Sequence, residues 1–345
     1  MKTIKDIAAL ANVSIGTVDR VIHNRSGVSK KTKERIEKII QEHNFQINKT
    51  ARTLALNKKY DIAVLIPAIE SSSDFWYLPK KGIEKASKEI EIHRTSVSYF
   101  YFNQFDSNSF KEAFDKLLEK TFDAVLLAPV FLIETKKRLI QLEQRKTPYV
   151  FINVELQGAN NISYIGQHSF DSGTLAAKLM SLLIHDNDEV LIVKVRKDNS
   201  HHSAIEDRIS GFKSYFNTQA SSIKINEVVL PKTKDQIAID TFIYKTLANQ
   251  HIKGLFVPSS KVSIMAKYIE EHRLKHLKLI GYDLSEENAL FIKNETINFL
   301  IDQNAFFQGY EGTKTLFNFI INDIVPKKNR YLPIKLLTKE NIKYL

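Results

Sequence analysis

Residues 3–23 read TIKDIAALANVSIGTVDRVIH, and their periodicity decides what the start of the chain is. Ile4, Ile7, Ala8 and Ala11 recur at the i, i+3, i+4, i+7 spacing of a short amphipathic helix. Asn12 and Val13 break it. Ser14 has the right chemistry to cap a second helix, because its hydroxyl accepts a bond from an otherwise orphaned amide near position 17. On that second helix Val18, Val21 and Ile22 face inward, while Gly16, Thr17, Asp19, Arg20 and His23 face out. Asn24–Gly27 is a turn cluster, and Ser29 caps a third helix whose apolar stripe is Ile36, Ile39 and Ile40. Two short helices joined by a tight turn, with a third closing their core, make a helix-turn-helix unit. Its second helix has the dimensions to enter the major groove of DNA.

The charge points the same way. The chain has 345 residues, 50 of them Lys or Arg against 39 Asp or Glu, for a net +11. Residues 1–60 hold 13 of those bases and five of the acids, so +8 sits on this short module and +3 on the remaining 285 residues. A basic module on a nearly neutral body fits a polyanionic partner. There is no cysteine, which removes disulfides, thiolate metal sites and cysteine nucleophiles together and suits a reducing cytosol. Lys5 and Asp6 interrupt any apolar run at the N-terminus, so no secretory signal is expected. No stretch approaches the ~18 consecutive apolar residues of a membrane helix. The reading is a soluble, cytoplasmic protein with no membrane partner.

After Lys58-Lys59 the pattern changes to apolar strands alternating with helical stripes. The strand-like runs are Asp61–Pro67, Ile92–Phe102, Phe122–Ala128, Pro148–Asn153, Glu189–Val195, Ile223–Leu230, Gly254–Val257, Leu277–Asp283 and Thr296–Ile301. Amphipathic helices such as Trp76–Ile90 and Ser109–Lys120 lie between them. Alternating βα units make parallel sheets covered on both faces. The length is too great for one such sheet of usual size, so two lobes are expected. Ligands of open α/β sheets bind beyond the carboxyl ends of the strands, here in the cleft between lobes.

The residues also carry a resemblance. Thr3–Leu56 resembles the DNA-binding headpiece of the LacI/GalR family of bacterial transcription regulators. The match rests on Ile4-x-Asp6-Ile7-Ala8, Ala11-x-Val13-Ser14, Thr17-Val18-x-Arg20-Val21, Val28-Ser29 and Asn48-x-x-Ala51-x-x-Leu54. By that resemblance Ile15 and Gly16 occupy base-reading positions, with Arg20 a third, and Ser14, Thr17 and Ser29 match positions that contact phosphate. Asn48–Leu56 matches the family's hinge helix, with Ala51 and Leu54 among its DNA-facing residues. Nine residues are too few for a stable isolated helix, since ~12–15 is already marginal. The segment is therefore expected to fold when two copies pack on DNA, with Leu54 wedged between base pairs from the minor groove. Two positions depart from the family pattern. Gly16 has no side chain to reach a base. Asp19 stands where phosphate would repel it unless it caps locally, pairs with Arg20 or a nearby lysine, or accepts from cytosine.

Residues 61–345 resemble the periplasmic-binding-protein-like effector domain of the same family. The positions matching ligand contacts are Phe75 and Trp76, the aromatic pair that stacks on a sugar ring, then Asn153, Arg208, Ser259, Asp283 and Gln303. Arg208 lies in Asp207-Arg208-x-x-Gly211-Phe212, a pattern typical of these domains. Sugar-binding relatives often have Asp-Arg where this chain has Asn153-Val154, which leaves an acidic or larger ligand open.

Enzyme readings find little support. None of the eleven glycines forms G-x-G-x-x-G, no Gly-rich loop ends in Gly-Lys-Ser/Thr, and no G-x-S-x-G elbow occurs. His272 and His276 lack the H-E-x-x-H pattern and lie beside Arg273, Lys275 and Lys278. His201-His202 reads as a loop near the cleft rather than a metal site. The expected organisation is a helical helix-turn-helix domain (1–47), a hinge helix and linker (48–60), and a two-lobed α/β effector and dimerisation domain with parallel sheets (61–345). The N-lobe takes about 61–166 and 303–330, the C-lobe about 167–302 and 331–345. The expected function is a regulator, a repressor, that binds a pseudo-palindromic operator in double-stranded DNA as a homodimer. A small-molecule effector, a carbohydrate or a derivative of one, controls it, with no metal or other cofactor. The alternative is a small-molecule-binding protein or α/β enzyme with a non-specific basic headpiece. Leu332–Leu345 shows no heptad repeat that would make a tetramer.

Overall fold

The computed structural model describes residues 4–22, 25–43, 58–196, 203–219, 222–231 and 235–344. The chain divides into two compact units between Lys58 and Lys59. The first contains α1 (Ile4–Leu10), α2 (Ile15–Ile22) and α3 (Lys30–Glu42). Its core is Ile7, Ala8, Ala11, Val18, Val21 and Ile36, with Ile4, Ile22, Ile39 and Ile40 packed around them. That is the stripe the periodicity selects. The two caps form as their chemistry requires. The Thr17 amide donates to Ser14 Oγ at 3.2 Å, and the Thr32 amide to Ser29 Oγ at 3.3 Å. Asn12, with φ of 48°, takes the left-handed conformation that ends α1.

The second unit holds two six-stranded sheets. Strands β1 (Tyr60–Pro67), β2 (Thr95–Phe102), β3 (Ala124–Leu127), β4 (Tyr149–Ile152), β5 (Ser163–Gly166) and β11 (Asn329–Tyr331) form the first, in the order β11-β5-β4-β3-β1-β2. Strands β6 (Glu189–Arg196), β7 (Lys224–Pro231), β8 (Ile252–Phe256), β9 (Lys278–Tyr282), β10 (Phe299–Asp302) and β12 (Lys335–Leu337) form the second, in the order β12-β10-β9-β8-β6-β7. Among the described residues every pairing is parallel except that of β12 on β10. Parallel strands covered on both faces need continuous apolar runs. In β1 the five residues Ile62–Ile66 are wholly buried.

The connecting helices are α4 (Tyr77–Glu91), α5 (Ser107–Leu118), α6 (Leu132–Gln144), α7 (Ser169–Ser181), α8 (Ser203–Thr218), α9 (Gln236–Thr246), α10 (Ser263–Glu271), α11 (Glu286–Lys293) and α12 (Ala305–Asn322). Helix α12 follows β10 of the second sheet yet packs on α4 and on β3, β4 and β5 of the first. The chain therefore passes between lobes three times, at 167–168, 303–304 and 332–334. Gln167 Nε2 donates to the Asp302 carbonyl at 2.7 Å, and Asn304 Nδ2 to the Pro333 carbonyl at 2.6 Å. The three crossings are tied side by side as one hinge.

Three strands differ from the sequence reading by being absent from it. The residues of β5 are only Ser-Tyr-Ile-Gly, β11 is polar and exposed, and β12 is three residues long. Backbone pairing with neighbours holds them, a force without side-chain periodicity. The expected strand at Ile92–Phe102 begins instead at Thr95, because Ile92 caps α4 and Arg94, with φ of 57°, turns the chain.

Candidate functional site

On the first unit, α2 presents Ser14, Ile15, Gly16 and Arg20 to solvent, with Thr17 half-buried beside them. Ile15 is 44% exposed, a large apolar side chain left on an otherwise polar face. The hydroxyls of Ser14 and Thr17 lie 2.9 Å apart at the helix start, where backbone amides and the helix dipole favour an anion. Ser29, likewise exposed, sits at the start of α3 with its hydroxyl 2.8 Å from that of Thr32. Asp19 has a partner the sequence reading did not name. It pairs with Arg25, with 3.3 Å between Nη1 and Oδ2. Ala51 and Leu54 lie outside the described residues.

In the second unit the strand ends converge on a cleft of about 660 Å³, its open mouth included. Phe75 and Trp76 come from the loop after β1, Asn153 from the end of β4, and Arg208 from α8. Ser259 follows β8, and Gln303 opens the second crossing. Six of the seven expected contact residues thus line one cavity. Trp76 is only 2% exposed and meets Phe75 edge-on at 5.1 Å, so its indole is a cleft wall anchored in the core.

Asp283 is the exception. It sits at the end of β9 with φ of 62° and does not line the cleft. Its Oδ1 accepts the Gln303 amide at 3.2 Å and its Oδ2 accepts Gln303 Nε2 at 2.6 Å. Gln303 Oε1 in turn accepts from Arg208 Nη2 and, at 3.4 Å, from Asn153 Nδ2. Asp283 is therefore a positioning residue that fixes the amide of Gln303, which faces the ligand space. The arrangement runs from the C-lobe carboxylate through a hinge amide to one side chain from each lobe.

Burial, reinforced by the charge of Asp302, pushes the Asp283 carboxyl up to about 7, against the lowering effects of Arg208 and the Gln303 hydrogen bonds. A carboxyl raised on folding contributes stability that is fully present below its unfolded value near 4 and is lost as pH rises through about 7. The second unit is thus expected to lose stability between pH 5 and pH 8 through this group. Urea unfolding at the two pH values checks it: Asp283→Asn should flatten the pH dependence, and an equal slope in both proteins would remove Asp283 as its source.

The sequence reading missed Gln104 and Phe105 after β2, Val195 in β6, Ile205 on α8, and Asp74, Ser260 and Lys261. Most of these were findable from the rule that ligands lie beyond strand carboxyl ends. Asp74 and Lys261 come from different lobes and form an ion pair of 3.3 Å across the cleft. His272 is the C-cap of α10 and stacks on Tyr268 at 4.0 Å, so it shares no helix face with His276. His201 and His202 lie outside the described residues. Among the described residues no helix is long and apolar enough to cross a membrane.

Known proteins match both units. Residues 3–48 match the bacterial regulatory proteins of the lacI family, and residues 62–322 match the periplasmic binding protein domain. A ribose operon repressor of Lactococcus lactis is 24% identical over 349 positions, spanning 99% of this chain and 98% of its own. Catabolite control protein A of Staphylococcus aureus is 31% identical over 148 residues, 43% of either chain. A crystal structure from Bacteroides fragilis, assigned to the LacI transcriptional regulators, superposes with a TM-score of 0.77 at 30% identity. It matches over 84% of this chain and 100% of its own. With a helix-turn-helix module and a two-lobed ligand cleft on one polypeptide, and matches of this extent, the chain belongs to the LacI family of DNA-binding transcription regulators.

Proposed function

We propose that the protein is a cytoplasmic repressor that binds a pseudo-palindromic operator as a homodimer and is controlled by a small-molecule effector, a sugar or sugar derivative, held in the interlobe cleft. One observation carries this reading. A single chain combines an exposed helix face bearing Ser14, Ile15, Gly16, Thr17 and Arg20 with a cleft in which aromatic walls face Asn153, Arg208, Ser259 and Gln303. Polyhydroxylated ligands use such surroundings, since their CH faces stack on rings and their hydroxyls need paired donors and acceptors.

In this reading Arg20 and Ile15 contact bases, Gly16 lets the helix approach closely, and Ser14, Thr17 and Ser29 hold phosphates. Two headpieces on a two-fold axis call for a two-fold operator. Ligand bridging the lobes through Arg208 and Asn153 shifts the hinge crossings, and with them the affinity for DNA. Linkage then requires that operator change ligand affinity by the same factor.

The test is binding of the full-length protein to DNA fragments from its own gene neighbourhood at two salt concentrations. Fragment-selective, salt-sensitive binding is expected. Leu54→Ala should weaken operator binding about tenfold or more while leaving non-specific affinity near its original value, because the wedge acts only on a kinked site. Equal operator affinity in the variant would remove the wedge. Uniform weak binding to every fragment would favour a ligand-binding protein or enzyme with a merely basic headpiece.

A further inference from the structure

The charges facing the cleft do not balance. Among the described residues that line it, Arg208 and Lys261 are cations and Asp74 is the single anion. Asp74 is already committed. Its Oδ2 accepts the amides of Glu70 at 2.9 Å and Ser71 at 3.1 Å, and its Oδ1 takes Lys261 Nζ at 3.3 Å. Burial pushes the Asp74 carboxyl up, but those two amides and Lys261 outweigh it and hold the group below its ordinary value. Asp74 therefore stays satisfied by backbone when the lysine leaves. Lys261 remains 37% exposed in its side chain, and an ion pair in that setting is weak and readily exchanged.

Arg208 presents the opposite situation. It is 4% exposed, and every hydrogen-bond partner of its guanidinium is neutral, with the Asp283 and Asp207 carboxyls acting on it only through space. Nη1 donates to the Pro258 carbonyl at 2.9 Å, Nη2 to Gln303 Oε1, and the guanidinium lies over the Tyr282 ring at 4.1 Å from its centroid. Its Nε is buried with no hydrogen-bond partner. A buried cation is ordinarily paired. The carboxyl of Asp283 acts on Arg208 through space, but its oxygens are turned to Gln303 and make no hydrogen-bonded pair with the guanidinium. The cleft thus offers a guanidinium with no hydrogen-bonded anion beside a lysine whose ion pair is readily exchanged.

We propose that the effector is an anionic polyhydroxy compound, bearing a carboxylate or a phosphate ester, whose anionic group pairs with Arg208 and with Lys261 released from Asp74. Lys261 is the specificity-determining residue. Phe75, Trp76 and Phe105 supply the walls for its carbon skeleton. This rests on the effector-controlled reading given above and narrows its ligand class.

The experiment is calorimetric titration of the full-length protein with matched sets: glucose against gluconate and glucose 6-phosphate, and ribose against ribose 5-phosphate. Inorganic phosphate alone serves as the probe of the anion itself. At least one anionic member is expected to bind about tenfold or more tightly than its neutral partner, and whether a carboxylate or a phosphate does so identifies the source of the charge. Lys261→Met should bring the anion-to-neutral affinity ratio toward one, Lys261→Arg should restore it, and unfolding midpoints of both variants report that they fold. Tightest binding by a neutral sugar, or no anion binding below millimolar concentration, would overturn the proposal. A neutral sugar that binds more tightly than every anion and shifts DNA affinity would overturn the anionic class and leave effector control standing. A bound compound that leaves DNA affinity unchanged would instead overturn effector control.

Discussion

Gln303→Leu is expected to abolish the response to effector and to destabilise the second unit by about 3 kcal/mol or more. The side chain joins three groups that have no other common partner. It donates to the Asp283 carboxylate, accepts from the Arg208 guanidinium, and accepts from Asn153. Hydrogen bonds to charged groups contribute about 1.5–3 kcal/mol each, and losing one partner leaves the other desolvated without compensation. Leucine fills much the same volume, so the loss is one of hydrogen bonding rather than packing. All four residues are under 10% exposed, and solvent cannot replace the missing amide. Urea unfolding measures the stability, and ligand titration measures the response. A variant with unchanged unfolding midpoint and unchanged ligand binding would show that the amide neither bridges nor positions anything.

Gly173→Ala is expected to cost about 3 kcal/mol or more and to lower effector affinity, although residue 173 does not line the cleft. Helices α7 and α8 approach through a reciprocal glycine contact. A Cβ at Gly173 would stand 1.9 Å from the Arg208 carbonyl oxygen, and one at Gly211 would stand 2.0 Å from that of Phe170. Both obstacles are backbone, so no rotamer change relieves them. Overpacking typically costs about 1–3 kcal/mol and more where the backbone must shift. Here the shift falls on the residue that carries the guanidinium. For a unit of this size the change corresponds to about 5 °C or more in Tm. Loss of stability and of ligand affinity together is the expected signature, and a midpoint unmoved by the alanine would show that the helices separate freely.

These two glycines show where sequence reading succeeds and where it stops. Gly211 belongs to a motif visible in the sequence, but its purpose, helix against helix, needs the partner Gly173 thirty-eight positions earlier. The headpiece was legible almost residue by residue because its information is local. Helical period, Ser14 and Ser29 caps, and the turn between them all lie within a few positions of one another. The long strands were legible for the same reason, since buried parallel strands are continuous apolar runs. The strands β5, β11 and β12 were not, because pairing with distant segments holds them in place.

In the cleft, the family resemblance pointed to Asn153, Ser259, Asp283 and Gln303, and its Asp207-Arg208-x-x-Gly211-Phe212 pattern pointed to Arg208. A resemblance does not separate a wall residue from one standing behind it: Asp283 lies off the cleft lining, its two oxygens turned to Gln303. Nor could it see that Asp74 and Lys261, 187 positions apart, meet across the lobes. Asp19 illustrates the same limit on a smaller scale. Its charge was recognised as a problem for phosphate, yet the answer, Arg25, depends on how the turn after α2 folds back.

The most direct test of the account is reciprocity between the two units. Operator affinity of the full-length protein is measured with and without the bound effector, and effector affinity with and without operator. The expected result is a change in both, by the same factor, in typical cases between about 5-fold and 150-fold. Effector that binds the cleft while operator affinity stays unchanged would contradict the account.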